Sequence, residues 1–156
     1  MARVFRPPAP VSLDGRTPAV FLAGSIEMGA AEDWQTQAER ALGDLDVGLL
    51  NPRRAEWDAS WEQSITNPQF REQVEWELAG LEQAAVVAMY FAPGTKAPVT
   101  LLELGLCARG GRLVFCCPEG YWRRGNVEVV CARYGVPLLP SLAELLAEVR
   151  RRITAR

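Results

Sequence analysis

Short apolar runs alternate along this chain with segments of helical period, and that alternation constrains the fold more than any other feature. The runs are residues 19–23 (AVFLA), 47–50 (VGLL), 85–91 (AVVAMYF), 112–117 (RLVFCC) and 136–139 (VPLL). Helical patterns fill residues 30–42, 68–83, 98 to about 110, 126–134 and the segment after Ser141. Asn67-Pro68 pairs a capping side chain with a proline suited to a first helical position. Ser141 and Glu144 have the spacing of a capping box. Five strands alternating with helices predict an α/β fold, a parallel sheet with helices on both faces. The expected strand order is 2-1-3-4-5, with ligands bound at the carboxyl ends of the strands. Those ends are Gly24-Ser25-Ile26, Asn51-Pro52-Arg53-Arg54, residues 91–98 and residues 118–126. Residues 1–18 carry Pro7, Pro8, Pro10 and Pro18 and read as an extended arm. Residues 19–156 then form one domain, an ordinary size for a single core.

Composition narrows the chemistry. Hydrophobic residues are 49% and charged residues 23% of the 156, a globular balance. Lys+Arg total 17 against 19 Asp+Glu, which gives no reason to expect a nucleic acid polymer or a membrane surface as partner. No apolar run approaches a membrane span, and the N-terminus lacks the apolar stretch of a signal peptide. There is no histidine, which removes histidine bases, Ser-His-Asp triads and His-containing metal sites. The four cysteines, Cys107, Cys116, Cys117 and Cys131, have no zinc spacing, and Cys116-Cys117 sits in an apolar run. We therefore expect a reducing, cytoplasmic setting, no metal and no cofactor. The chemistry falls to carboxylates, hydroxyls, Arg/Lys or the backbone.

Two carboxylates are out of place. In the helix from Pro68 the expected apolar stripe is Phe70, Val74, Leu78 and Leu81, and Glu77 falls about 20° from Phe70. Glu75 and Glu82 fall outside it. In the helix from Pro98 the expected arc is Val99, Leu102, Leu106 and Cys107, and Glu103 lies about 40° from Val99. An ionised carboxylate buried alone is costly, so each must be paired, hydrogen-bonded or protonated. Inward glutamates that cap backbone or pair with arginine are the bland alternative. Two of them on consecutive helices suit glycosyl chemistry, one at an anomeric carbon and one handling a proton.

The segments FLAGSI at 21–26, NPRR at 51–54, QFREQVEWEL at 69–78, AMYFAPGTKAPVTLLELGL at 88–106 and CCPEGYWRRGNV at 116–127 resemble nucleoside 2-deoxyribosyltransferase-like proteins. The resemblance spans about residues 19–140 and is most specific from Val74 to Leu106. It implies a flavodoxin-like fold and a homo-oligomer with active sites near subunit interfaces. It makes Glu103, in Glu103-Leu104-Gly105, the nucleophile that forms a glycosyl-enzyme. It makes Glu77, in register with Leu81 and Ala84, the second acid, with Glu in place of the family's Asp. Gly24, Ser25 and Ile26 are candidate substrate contacts at a helix N-terminus. Asn51, Trp57 and Tyr90 are further candidates, Trp57 as a surface for base stacking. Asn126 resembles an asparagine that some relatives offer to a neighbour's substrate, and a helix cap explains it equally well.

The chain also departs from the family pattern. Phe21 stands where a tyrosine often orients the nucleophile, leaving Tyr90 as another source of a phenol. Ala85 and Ala97 replace aspartates. Glu27 stands where monophosphate hydrolases carry arginine, which favours unphosphorylated nucleosides. Arg53, Arg54, Arg123 and Arg124 read as structural pairs or as phosphate ligands. The implied activity is transfer of a deoxyribosyl group from a 2'-deoxynucleoside to a free nucleobase. An N-glycoside hydrolase with the same site and a non-catalytic nucleotide-binding module are the alternatives. A flavodoxin-type electron carrier fits poorly, because no Ser/Thr-rich loop follows the first strand.

Overall fold

The computed structural model describes residues 1–26 and 32–156. Six parallel strands form one sheet: β1 (Arg3–Phe5), β2 (Ala19–Gly24), β3 (Gly48–Leu50), β4 (Val86–Tyr90), β5 (Leu113–Cys116) and β6 (Leu138–Leu139). Their order is β1-β3-β2-β4-β5-β6. The five expected strands occur in the expected order, and a sixth is added at the edge. That strand comes from the arm, so residues 1–18 are not merely extended. Val4 lies opposite Leu49 in a parallel pair. Without β1, β3 would show a row of unpaired backbone groups at the sheet edge. Phe5, Val11 and Leu13 pack on the core beside it. Trp76 donates its indole N–H to the Ala9 carbonyl at 2.8 Å, fixing the arm to the helix that crosses it.

The helices are α1 (Trp34–Leu42), α2 (Pro68–Gln83), α3 (Pro98–Cys107), α4 (Arg124–Tyr134) and α5 (Leu142–Thr154). The first two residues of the expected helix 30–42 lie outside the described residues. One sheet face packs Phe21, Val87, Met89 and Phe115 against α2, α3 and α4. The other packs Val20, Leu22, Ala88 and Val114 against α1 and α5. Caps form where the side chains allow them. Asn67 accepts from the Phe70 N–H at 3.1 Å, and Ser141 accepts from the Glu144 N–H at 3.2 Å. Helix α4 starts at Arg124, so Asn126 sits in its first turn and is not its cap. Among the described residues no helix is long and apolar enough to cross a membrane.

Two helical faces differ from the periodic reading. In α3 the buried residues are Thr100, Glu103, Leu104 and Cys107, while Val99, Leu102 and Leu106 are 57%, 66% and 59% exposed. Three of the four residues of the expected arc face outward, while Cys107 and Glu103 face inward. In α2 the buried residues are Gln73, Gly80 and Leu81, and Leu78 is exposed. Gly80 explains the rotation. A Cβ there would stand 2.7 Å from the Phe21 ring, so the glycine lets α2 lie close over β2. Phe21 is fully buried and cannot swing aside. Gly80→Ala is therefore expected to destabilise the fold by about 1–3 kcal/mol, despite the roughly 1 kcal/mol helical advantage of alanine. A lowered urea midpoint at unchanged slope checks this; a raised midpoint would show that the contact is not tight.

Candidate active site

Helices α2 and α3 lie side by side on one sheet face, and each turns one glutamate toward the protein interior. Glu103 is 7% exposed. Among the described residues no cation or hydrogen-bond donor pairs with its carboxyl group. Burial, and then the charge of Glu77, push its pKa up to about 8. The second cause places the Glu77 carboxyl group within electrostatic range of Glu103. Burial likewise pushes Glu77 up to about 7, and a hydrogen bond from Gln73 opposes that rise. These are shifts of the kind found at catalytic carboxyls, and they arise here from burial without a counter-charge.

Gln73 lies one turn before Glu77 on the buried side of α2. Its Nε2 donates to Glu77 Oε1 at 2.7 Å and to the Pro52 carbonyl at 2.9 Å. Its Oε1 is buried without a partner. Pro52 offers only an acceptor, so the amide nitrogen must be the atom facing it. Nothing in the sequence set Gln73 apart; the signal was its position four residues before Glu77 on the same helical face.

The turn after β2 is closed by its own hydrogen bonds. A Cβ at Gly24 would meet the Tyr90 carbonyl at 2.1 Å and Trp34 at 2.8 Å, so only glycine fits there. That close approach lets the Ser25 N–H reach the Tyr90 carbonyl at 3.1 Å. The buried Ser25 Oγ accepts from the Ala92 N–H at 2.9 Å and lies 2.7 Å from Thr95 Oγ1. Thr95 spends its proton on the Ala92 carbonyl at 2.8 Å. The Ser25 hydroxyl must therefore donate to Thr95. Together they stitch the β2 turn to the loop before α3. Tyr121 and Trp122 hold the same loop through the Lys96 carbonyl, at 2.5 and 3.0 Å. It ends at Ala97, a non-glycine residue with a left-handed φ of 42°, a local strain placed six residues before Glu103. Ile26 is half-buried beyond Ser25, and Glu27 lies outside the described residues.

The remaining candidates are distributed around these two helices. Asn51 is buried; its amide donates to Glu39 at 2.6 Å and its Oδ1 accepts from the Arg53 N–H at 2.9 Å, which shapes the loop after β3. Trp57 packs edge-on against Trp61 at 5.2 Å. Arg54 covers Trp61 and pairs with Glu72 at 3.1 Å. Tyr90 points to the opposite sheet face, edge-on to Trp34 at 5.4 Å, so its phenol is not brought to Glu103. Asn126 is exposed on α4. The four arginines make structural contacts. Arg53 pairs with Asp33, Arg124 pairs with Glu128, and Arg123 lies over Trp122. All four cysteines are free and buried, and burial raises each thiol, which disfavours the reactive thiolate. Among the described residues no three His, Cys, Asp or Glu side chains gather as metal ligands.

With this geometry in hand, comparison with known proteins is informative. A conserved protein from Enterococcus faecalis V583 has a solved structure that superposes with a TM-score of 0.55 at 12% identity, covering 87% of this chain and 99% of that one. That likeness speaks for the α/β fold. No curated protein matches the chain. The family profile described as nucleoside 2-deoxyribosyltransferase like matches residues 17–121, which include the β2 turn, Glu77 and Glu103. The chain belongs to the nucleoside 2-deoxyribosyltransferase-like family.

Proposed function

We propose that the protein is a nucleoside 2-deoxyribosyltransferase acting through a covalent glycosyl-Glu103 intermediate. The observation that carries this reading is the pair of inward carboxyl groups on α2 and α3, Glu103 buried and Glu77 half-buried, with no cation paired to either among the described residues. A Glu103 carboxylate oxygen attacks C1' of a 2'-deoxynucleoside. The C1'–N bond breaks, and its electrons leave with the base, which takes the proton held by Glu77. In the second half an incoming base attacks C1', the C1'–O bond to Glu103 breaks, and Glu77 receives the proton. Ser25, Thr95 and the strained Ala97 position α3 for this chemistry, and Trp57 is the candidate surface for stacking a base. Water in place of the second base would make the protein an N-glycoside hydrolase. We place it in the cytoplasm, where free thiols persist.

We also propose that copies associate through α3 and α4. Val99, Leu102 and Leu106 form an outward apolar row on α3, and Val129 on α4 is 70% exposed. The exposed Asn126 in the first turn of α4 would then serve a neighbour's site. Leu102→Glu with Leu106→Glu is expected to convert an oligomer to monomers with loss of turnover. A wild-type sedimentation boundary at the monomer mass with full activity would exclude a shared site.

Product analysis tests the reaction. Wild-type protein is incubated with a panel of 2'-deoxynucleosides, with and without a second free base. New nucleoside only with the acceptor supports the transferase; free deoxyribose without it supports the hydrolase; no turnover favours a nucleotide-binding module. Glu103→Gln is expected to lose turnover entirely, and Glu77→Gln to slow it about 10²–10⁴-fold. The reactive pair holds one proton, so kcat/KM should trace a bell with apparent pKa values near about 7 and about 8. Glu77→Gln should remove the alkaline limb.

On the acid limb of that bell, stability should move in the opposite direction to activity. Both folded carboxyls bind protons more tightly than unfolded ones, so stability falls as pH rises from the ordinary 4.5 toward about 8. Glu103→Gln should therefore melt above wild type at pH 8, with the gain shrinking toward pH 5. A rise of roughly 2–4 °C is expected for each kcal/mol recovered. A lower melting temperature at pH 8 would mean that Glu103 is a structural residue.

A further inference from the structure

We infer that Gln73 is a positioning residue for the second acid, holding the Glu77 carboxyl group toward Glu103 and tying it to the loop after β3. This rests on the functional reading above only for the reaction that Glu77 serves; the contact itself is independent of it. Gln73 is 4% exposed, and both of its amide protons are used, one on Glu77 and one on the Pro52 carbonyl. Its oxygen is buried and unpaired among the described residues. A buried acceptor without a donor is destabilising, and an apolar side chain of the same length would avoid that loss. The amide is therefore poorly explained by packing and well explained by its two donated bonds.

Those bonds join three parts of the site. Pro52 follows Asn51, whose own bonds to Glu39 and Arg53 set the loop's course. Gln73 and Glu77 are one turn apart on α2. Glu103, on α3, lies within electrostatic range of Glu77 and feels its charge. A donated N–H favours the ionised form of Glu77 and so opposes the effect of burial. Without it the pair would keep both protons further into neutral pH, and the singly protonated form that the reaction needs would be scarcer.

The test is a titration of the glutamate carboxyl carbons by NMR, in wild type and in Gln73→Met, which keeps length and removes both donors. Glu103→Gln assigns the remaining signal to Glu77. In the methionine variant the lower of the two titrations is expected to rise by about one pH unit. At neutral pH kcat should fall about fivefold, the drop in the singly protonated fraction, while KM stays nearly constant. An unshifted titration with only a lowered melting temperature would overturn the inference and leave Gln73 a packing residue. A second reading needs no variant at Gln73 to fold. In wild type the Gln73 side-chain amide signal should move with the Glu77 midpoint, and in Glu77→Gln it should be flat. An amide signal that ignores pH in wild type would equally overturn the inference. Neither titration needs a substrate, so both decide the role of Gln73 even where the product panel shows no turnover.

Discussion

Two carboxyl groups lie within electrostatic range of one another on neighbouring helices, with no cation paired to either among the described residues, and the rest of the site is arranged around that constraint. Desolvation favours the protonated form of both, and the charge of Glu77 adds to that effect at Glu103. Near neutrality the pair holds about one proton. This is the composition that acid-assisted displacement at an anomeric carbon needs, one group as oxygen nucleophile and one as proton donor. Gln73 makes the two groups inequivalent by donating to Glu77 and not to Glu103. The resting bias therefore favours charge on Glu77, and on the proposed mechanism bound substrate would move the proton the other way.

The sheet makes that pairing possible by bringing two separate helices together. Glu77 and Glu103 are 26 positions apart in sequence, with strand β4 between their helices. Gly80 brings α2 down onto Phe21, and the Ser25–Thr95 bond fixes the loop from which α3 departs. Each device sits within one turn or one short loop of a carboxylate. The arm acts at greater distance: β1 covers the free edge of β3, and the Ala9 carbonyl holds Trp76. Trp76 is the immediate chain neighbour of Glu77 and packs tilted against Phe21 at 6.2 Å.

Most of the fold was legible because buried parallel strands read as short apolar runs. β2, β4 and β5 are buried almost throughout, and their runs are unbroken. β1 was not legible. Arg3–Phe5 is three residues long and borders a proline-rich stretch, so nothing local distinguishes it from a coil; its pairing partner is β3, 45 positions away. Helical period found Glu77 and Glu103, yet it assigned the wrong apolar neighbours. In α3, Val99, Leu102 and Leu106 share one face, and period alone does not say whether an apolar face meets the sheet or solvent. Gln73 stayed hidden for a related reason, since a glutamine in a charge-rich helix reads as solvated. Tyr90 was misjudged by strand alternation, which sends it to the Trp34 side while Met89 faces α3.

Phe21 sharpens the electrostatic argument. Relatives often place a phenol where this chain has a phenyl ring, and here that ring fills the space over Gly80. Glu103 therefore gains no hydrogen bond from that position, and burial and the charge of Glu77 raise its pKa unopposed. On the proposed mechanism the missing stabilisation arrives with the substrate. As the C1'–N bond stretches, positive charge grows on the sugar beside a carboxylate that has no other partner among the described residues. In a desolvated site such a contact strengthens as the charge develops, and it is weaker before the bond begins to break. An unpaired glutamate is costly in the resting protein and most favourably placed in the transition state. That difference, and not tight binding of the nucleoside, is what can accelerate glycosidic cleavage here.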